Sequence, residues 1–558
     1  MKILLIYPYC LENRLHEEDV SVVPMGLYYI GALLKENGYD VDILNFHGLS
    51  QDQNKLRAIL EEKKADVIGF SVLNANRWGA IDIAKLAKKL NPKVKIVFGG
   101  VAATFLWKHF LTHFKEPDVV VIGEGEFPFL NLIKAIESEI DIESVRGIAF
   151  RKGKEIVRTP AQEPIQNLDD LPIPAKYFTY QHLALTRGCA GNCTFCGSPK
   201  FWNHKVRFHS PQYFVNQLEL LYQRGVRFFY ISDDTFTMRE DYVLEICKKI
   251  IEKNLNISWA AISRVNYISE SMLYQMRKAG CIQISYGIES GSEKIRELLN
   301  KKITTEQIKR AFSLTTRYGI LARAYFIYGC PGENDQTIQE TIDLILEIKP
   351  LSVIFYILDV FPGTALYDEF MQKFGLSEDI WLNRIEDILY FEKDPALPKE
   401  QILAFGQRLR TAYYRHLPEF AAAIELADQP ELYELHAEFL SRLAMTLSHG
   451  DYAQIDAIPD KARTAEKLYE RALRYYPAHR AYLGLGMVYQ KRKNFQQSAR
   501  ILEQGLARYP DSESLNLCMG ICLMNMGNFH KALDCLLKIK NSKDAAYYIS
   551  QCHQALGR

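Results

Sequence analysis

The sequence lacks any apolar run long enough to cross a bilayer, and it lacks an excess of either charge. Lys and Arg number 68 against 67 Asp and Glu over 558 residues, which gives no general drive toward nucleic acid or an anionic membrane. A spanning helix needs about 20 apolar residues. The opening MKILLIYPY falls well short of that and of a secretory signal, and it reads as a buried first strand. Cysteine is sparse: the 11 present are scattered apart from one cluster, which argues against a disulfide framework and for reduced thiols in a cytoplasm. Too long for one core, the chain should divide into two or three domains.

Up to about residue 140, short apolar runs (Ile3–Tyr7, Val41–Asn45, Val67–Ser71, Ile96–Phe98, Val119–Ile122) alternate with amphipathic stretches such as MGLYYIGALLKEN. That rhythm predicts a parallel sheet covered on both faces, with ligands beyond the carboxyl ends of the strands. Those ends carry Ser71, then Gly99 and Gly100, then Gly123, Glu124 and Gly125. Glycines there would let a large flat ligand approach the backbone, although turn chemistry alone also asks for them. GIAFRKGKEIVRTP reads as a hairpin, and IQNLDDLPIPAKYF as a linker.

From about 180 to 375 six strand candidates recur: His182–Thr186, Arg227–Ser232, Ile257–Ser263, Ile282–Ile288, Arg323–Tyr328 and Ser352–Leu358. Helical patterns fill the gaps. Six such units predict a full or partial barrel with its site on the strand carboxyl ends. The segments that follow the strands are polar or glycine-rich: a cysteine cluster, DDTF, SRVN, ESGS, GCPGEN and DVFPGT. One rim therefore gathers the chemistry, as in an enzyme. Beyond 400 the chain is helical. LYERALRYYP and LEQGLARYP align with prolines 33 apart, and GMVYQKRKNF and GICLMNMGNF align 34 apart, the period of tetratricopeptide repeats. Tyr482, Tyr489 and Phe495 occupy core positions of that repeat.

Cys189, Cys193 and Cys196 follow the first strand of the six with spacing C-x3-C-x2-C. Thiolates so placed can converge on one soft metal centre. A structural zinc would want a fourth ligand, which His204 or His209 could supply. An iron–sulfur cluster would instead keep one iron open for a substrate.

CAGNCTFC after LALTRG resembles the radical S-adenosylmethionine (SAM) superfamily. FFYISDDTF, SYGIESGS, YFIYGCPGEN and VFPGTALYDEF are similar to segments of its subfamily with an N-terminal cobalamin-binding domain. So are PMGLYYIGALLKENGYDVDILNF, GGVAATF and VVVIGEGE. The likeness spans about residues 1–375. It implies a [4Fe–4S] cluster on Cys189, Cys193 and Cys196, whose open iron binds the amino and carboxylate groups of SAM. One electron then cleaves SAM to a 5′-deoxyadenosyl radical that abstracts hydrogen from the substrate. It also implies Phe195 near the adenine, Glu289 on the ribose or amino group, and Gly329 in the glycine-rich fifth-strand motif. Asp233 and Asp234 become candidates for SAM or substrate contact or, as acidic residues near a helix start, for a structural role, while Glu333 sits one place later than the common pattern. Cys330 reads as a buried thiol or a residue on the substrate side. Cobalamin would lie on Ser71, Gly99, Gly100, Gly123, Glu124 and Gly125. The D-x-H-x-x-G motif is missing, since His47 follows the second strand at the wrong spacing, so no protein histidine is expected on cobalt and residues 71–76 would face it.

The expected fold is α/β. A Rossmann-like domain (1–142) is followed by a hairpin and linker (143–180), a partial (β/α)6 TIM-type barrel (181–395), a helical connector (396–460) and an all-α repeat region (461–558). Methylation of an unactivated carbon is the first functional reading. Cobalamin-assisted oxidation or cyclisation without net methyl transfer is the second, and a repeat scaffold with a degenerate enzyme shell the third. The partners implied are a small-molecule or carrier-bound substrate, an electron donor such as a flavodoxin or ferredoxin, and a protein partner or second copy at the repeats.

Overall fold

The computed structural model describes residues 1–12, 14–15, 24–49, 52–539 and 542–557. The first sheet contains β1 (Lys2–Tyr7), β2 (Asp40–Asn45), β3 (Val67–Ser71), β4 (Lys95–Gly99), β5 (Val119–Val121), β6 (Ile148–Lys152) and β7 (Glu155–Arg158). Its order is β2-β1-β3-β4-β5-β6-β7, with the first five strands parallel and the last two antiparallel. β1 is apolar throughout because both its faces are covered. Ile3, Leu5 and Tyr7 join the core that includes Leu27 and Phe129, and Leu4 and Ile6 join the one that includes Ile81 and Ala84. The hairpin expected to lie outside this domain extends its sheet instead: Ile148, Ala149 and Phe150 pair with Val121, Val120 and Val119. The sheet therefore ends at Arg158, not near 142.

A two-stranded ribbon, β9 (Thr186–Arg187) with β10 (Arg207–Phe208), adjoins the second sheet. That sheet contains β8 (His182–Leu183), β11 (Phe228–Ile231), β12 (Ser258–Ser263), β13 (Cys281–Glu289), β14 (Leu321–Tyr328) and β15 (Ser352–Ile357). All neighbours are parallel, in the order β15-β14-β13-β12-β11-β8. These are the six strands expected from the sequence, and they form an open (β/α)6 array. β14 has the burial pattern of a hollow barrel. Ala322, Ala324, Phe326 and Tyr328 are buried in the main core, while Leu321, Arg323, Tyr325 and Ile327 on the other face are half-exposed.

Segment 377–394 returns from the barrel to hold the first domain. Arg77, buried, donates to Glu386 O (2.9 Å) and Asn383 O (3.2 Å), and its guanidinium lies 5.0 Å over the Trp381 ring. Trp78 Nε1 donates to Asn383 O at 2.8 Å, and Arg14 pairs with Asp387 and Glu392.

Helices Lys399–Ala422 and Tyr433–Ser448 pack on the barrel. The second lies at the amino ends of the strands. Arg277 donates to Cys281 O, at the start of β13, and to Leu435 O, while Tyr452 Oη donates to Leu351 O just before β15. Helical pairs then continue the chain, with helices beginning at 461, 495 and 529, each 34 residues after the last, and at 479 and 513. No helix among the described residues is long and apolar enough to cross a membrane.

Candidate functional site

A cavity of about 330 Å³ opens between the carboxyl ends of the first sheet and the start of the barrel, lined by residues between 5 and 234. Its mostly apolar wall descends along one sheet face, past Leu5, Gly69, Val97 and Phe129. Gly69 has no room for a side chain, since a Cβ would lie 2.9 Å from Leu5 Cδ2 and 3.0 Å from the Phe129 ring. Ser71, Gly99, Gly100, Gly123, Glu124 and Gly125 all reach this wall. Gly100 has φ 96° and packs against the Val72 backbone; a Cβ there would come within 2.9 Å of it. Gly99 differs, because a Cβ would meet nothing nearer than 3.8 Å and would project as added wall. Asn76 shapes the loop after Ser71: its Oδ1 accepts from Leu73 N (2.7 Å) and its Nδ2 donates to Ser71 O (3.2 Å).

Glu124 requires a correction. Its carboxylate is taken by Arg207 and by Ile165 N (3.0 Å), with Arg187 Nη1 at 3.8 Å. Glu126 pairs with Arg187 at 2.5 Å. Two glutamates of the first domain thus meet two arginines of the second in a nearly dry seam. The charge of Glu124 welds domains and is not free for a cofactor. Desolvation works against the charged form of Arg187, but Glu126 and, more weakly, Glu124 outweigh it and hold its pKa above the ordinary range.

The loop that carries the cysteines is pinned from four sides. The Asp233 carboxylate, 1% exposed, accepts from Leu185 N (3.0 Å) and Thr186 N (2.6 Å), where the loop leaves β8. Desolvation raises its pKa to about 7, partly opposed by those amides. Asp233 is therefore spent on backbone, the structural one of its two readings, and is not turned to the cavity. Thr194 N donates to Leu299 O (3.0 Å), Leu366 N to Thr194 O (2.9 Å) and Asn300 Nδ2 to Asn192 O (2.6 Å). Arg264, from the segment SRVN, puts Nη1 3.7 Å from Cys193 Sγ.

Cys196 N donates to Cys193 O at 3.3 Å, and Gly191 N to Cys189 Sγ at 3.3 Å. Burial pushes the Cys196 thiol up to about 12, with Asp234, Cys193 and Cys189 adding to the effect. A thiol at Cys196 that resists ionising alone fits a site whose guest brings the positive charge. Among the described residues no three of His, Cys, Asp or Glu are gathered as a chelate for one ion. Three thiolates bound to different irons of a cubane need no such single focus. His209, weighed as a zinc ligand, is engaged at both ring nitrogens, Nδ1 with Asp169 (3.0 Å) and Nε2 with Tyr29 Oη (3.2 Å). His204 is exposed.

Asp234 lies on the cavity wall and accepts from Ser198 Oγ at 2.5 Å; surrounding protein raises its pKa. Gly188 and Asp234 bring the wall to both flanks of the cysteine loop. Glu289 ends β13 after a register shift, at φ 69°, with its Oε1 2.5 Å from Lys301 Nζ and both side chains buried. Such a backbone angle in a non-glycine residue is a held conformation. Phe195 is half-buried against the core. Gly329 turns at φ 79°, and its N–H and that of Cys330 donate to Glu333 Oε2 (2.5 and 3.3 Å), so Glu333 closes this loop. Desolvation raises Glu333 to about 7 and lifts the Cys330 thiol well above its usual value. Arg264, Lys301, Asn76 and Arg187 did not stand out in the sequence, because each gains meaning only from a distant partner.

A model of the B12 binding domain matches residues 19–133, and one of the Radical SAM superfamily matches residues 183–345. The chain belongs to the radical SAM superfamily, in the group whose barrel is preceded by a B12-binding domain. It is 30% identical over 382 residues to an uncharacterized methyltransferase of Pyrococcus horikoshii, covering 66% of this chain and 83% of that one. It is 29% identical to the anaerobic magnesium-protoporphyrin IX monomethyl ester cyclase of Rubrivivax gelatinosus, over 67% of this chain and 70% of the relative. In fold it is similar to the radical S-adenosylmethionine methyltransferase TsrM of Kitasatospora setae, with TM-score 0.57 and 18% identity over 66% of this chain and 76% of that one. It is also similar to the cobalamin-dependent enzyme OxsB, with TM-score 0.54 and 16% identity over 100% and 84%.

Proposed function

We propose that this chain is a cobalamin-dependent radical SAM methyltransferase acting on an unactivated carbon of a small or carrier-bound substrate. The observation that carries the reading is the cavity between the two domains: one wall is the glycine-rich carboxyl rim of the first sheet, and the other includes Gly188, Ser232 and Asp234 of the barrel, with the three cysteines next to the wall and outside its lining. When bound, cobalamin would supply the methyl group, and the cluster with SAM the radical that activates the carbon. Cys189, Cys193 and Cys196 would hold the cluster. Gly99, Gly100 and Gly123 would admit the corrin to the backbone, with the Ser71–Asn76 loop facing it. The cavity lining includes one histidine, His209, already engaged at both nitrogens, so no histidine there is free for cobalt. Glu289, held at its strand end by Lys301, would offer its second oxygen to SAM, and Phe195 a face to the adenine. The apolar wall would exclude water from reactive species. A low-potential donor such as a flavodoxin or ferredoxin would supply electrons.

Anaerobic reconstitution with iron, sulfide, cobalamin and SAM, with products analysed, tests the proposal. 5′-Deoxyadenosine together with S-adenosylhomocysteine is the expected pair. 5′-Deoxyadenosine alone would favour cyclisation or oxidation, the chemistry for which the Rubrivivax relative is named. Neither product, with the same result in Cys193→Ala, would leave a scaffold.

A further inference from the structure

We infer that Arg264 is a fixed positive charge that sets how readily the iron–sulfur group of this chain accepts an electron. This rests on the reading that Cys193 is one of its ligands. Arg264 follows β12 and is 7% exposed. Its three nitrogens are directed to separate partners: Nη2 donates to Lys301 O at 2.6 Å, Nε to Asn266 Oδ1 at 3.4 Å, and Nη1 to Cys193 Sγ at 3.7 Å. No carboxylate is among these partners, whereas Arg187 and Arg207 in the domain seam are each neutralised by glutamate. The cysteine loop is built around this guanidinium. A Cβ on Gly191, between Cys189 and Cys193, would lie 2.7 Å from Nη1, so the loop needs glycine for the arginine to reach the sulfur. Through Lys301 the same residue is tied to the Lys301–Glu289 pair.

The potential of an iron–sulfur group follows from net charge, hydrogen bonds to its sulfurs and solvent exposure. Reduction adds one electron from an external donor to a group already carrying thiolates. A buried cation donating to one of those sulfurs favours the more negative state and raises the potential. Arg264 is thus a positioning residue that acts through Cys193.

The test is an anaerobic potentiometric titration of the reconstituted full-length protein. Titanium(III) citrate is the reductant, the EPR signal of the reduced cluster is the readout, and iron and sulfide are counted in parallel. Arg264→Gln should load the cluster and show a more negative midpoint than wild type, with Arg264→Lys nearer to wild type. An unchanged midpoint in loaded Arg264→Gln overturns the inference. If Arg264→Gln does not load, Gly191→Ala, which displaces the guanidinium without removing it, decides: a negative shift supports the inference. An unchanged midpoint or a second failure to load overturns it, leaving Arg264 as a builder of the loop. Wild-type protein that takes up no iron would refute the ligand reading itself, a separate outcome.

Discussion

Asp233 illustrates how a residue legible as acidic chemistry becomes architecture. Its carboxylate is protonated more readily in the folded chain, with a pKa of about 7, than in the unfolded one at 3.8. A folded pKa above the unfolded value means that the stability it contributes is greatest below about pH 4 and is lost as pH rises to about 7. Asp233→Asn removes that titration. The stability of the variant relative to wild type should therefore rise between pH 4 and 7, by up to a few kcal/mol, and stay level above. Urea unfolding at a series of pH values measures it, and a flat difference would contradict the assigned cost. The three cysteines were legible because three thiols within eight positions announce themselves. The roles of Asp233 and Glu333 were not, because amide groups that occupy a carboxylate leave no trace in its local sequence.

At the scale of elements, strands were readable wherever both faces are buried, since β1 and β3 then become unbroken apolar runs. The hairpin Ile148–Arg158 was readable as a hairpin but not as an edge of the first sheet, because pairing with β5 is non-local. Gly99 offers a test of what its rim is for. Gly99→Leu adds bulk to the cavity wall, where a Cβ meets only ordinary contacts. It should weaken cobalamin binding at least about tenfold, a cost of about 1.4 kcal/mol, in absorbance titrations, with the melting temperature nearly unchanged. The Glu124, Glu126, Arg187 and Arg207 seam makes a different prediction. Arg187→Ala leaves Glu126 buried and unpaired, and should lower stability by about 3–5 kcal/mol in chemical denaturation; a change below 1 kcal/mol would show the seam to be hydrated.

At the scale of the molecule, the cavity and the helical pairs stand at opposite ends of the barrel. The cavity lies at the strand carboxyl ends, and helix Tyr433–Ser448, which begins the tail, sits on their amino ends. The core of Leu502, Leu515, Cys518, Met519 and Cys522 is separate from the main one, which runs on through Tyr489. Removing residues 494–558 should accordingly leave iron and cobalamin content unchanged; loss of either would show that the tail supports the site. Removing everything after 400 would be a poor experiment, because Tyr413, Leu417 and Phe420 belong to the main core. The 34-residue period was plain in the sequence, but the end of the barrel to which it attaches was not, since that depends on Arg277 and Tyr452 reaching across the fold.

The account depends on two cofactors on separate protein supports, one in the cavity and the other on the cysteine loop beside it. Metal and corrin analysis of anaerobically reconstituted wild type and Cys193→Ala tests this most directly. Wild type should carry about four irons and about one cobalamin per chain, and Cys193→Ala should lose the iron while keeping the cobalamin. Tightly held zinc in place of iron, or wild-type protein that binds no cobalamin, would contradict it.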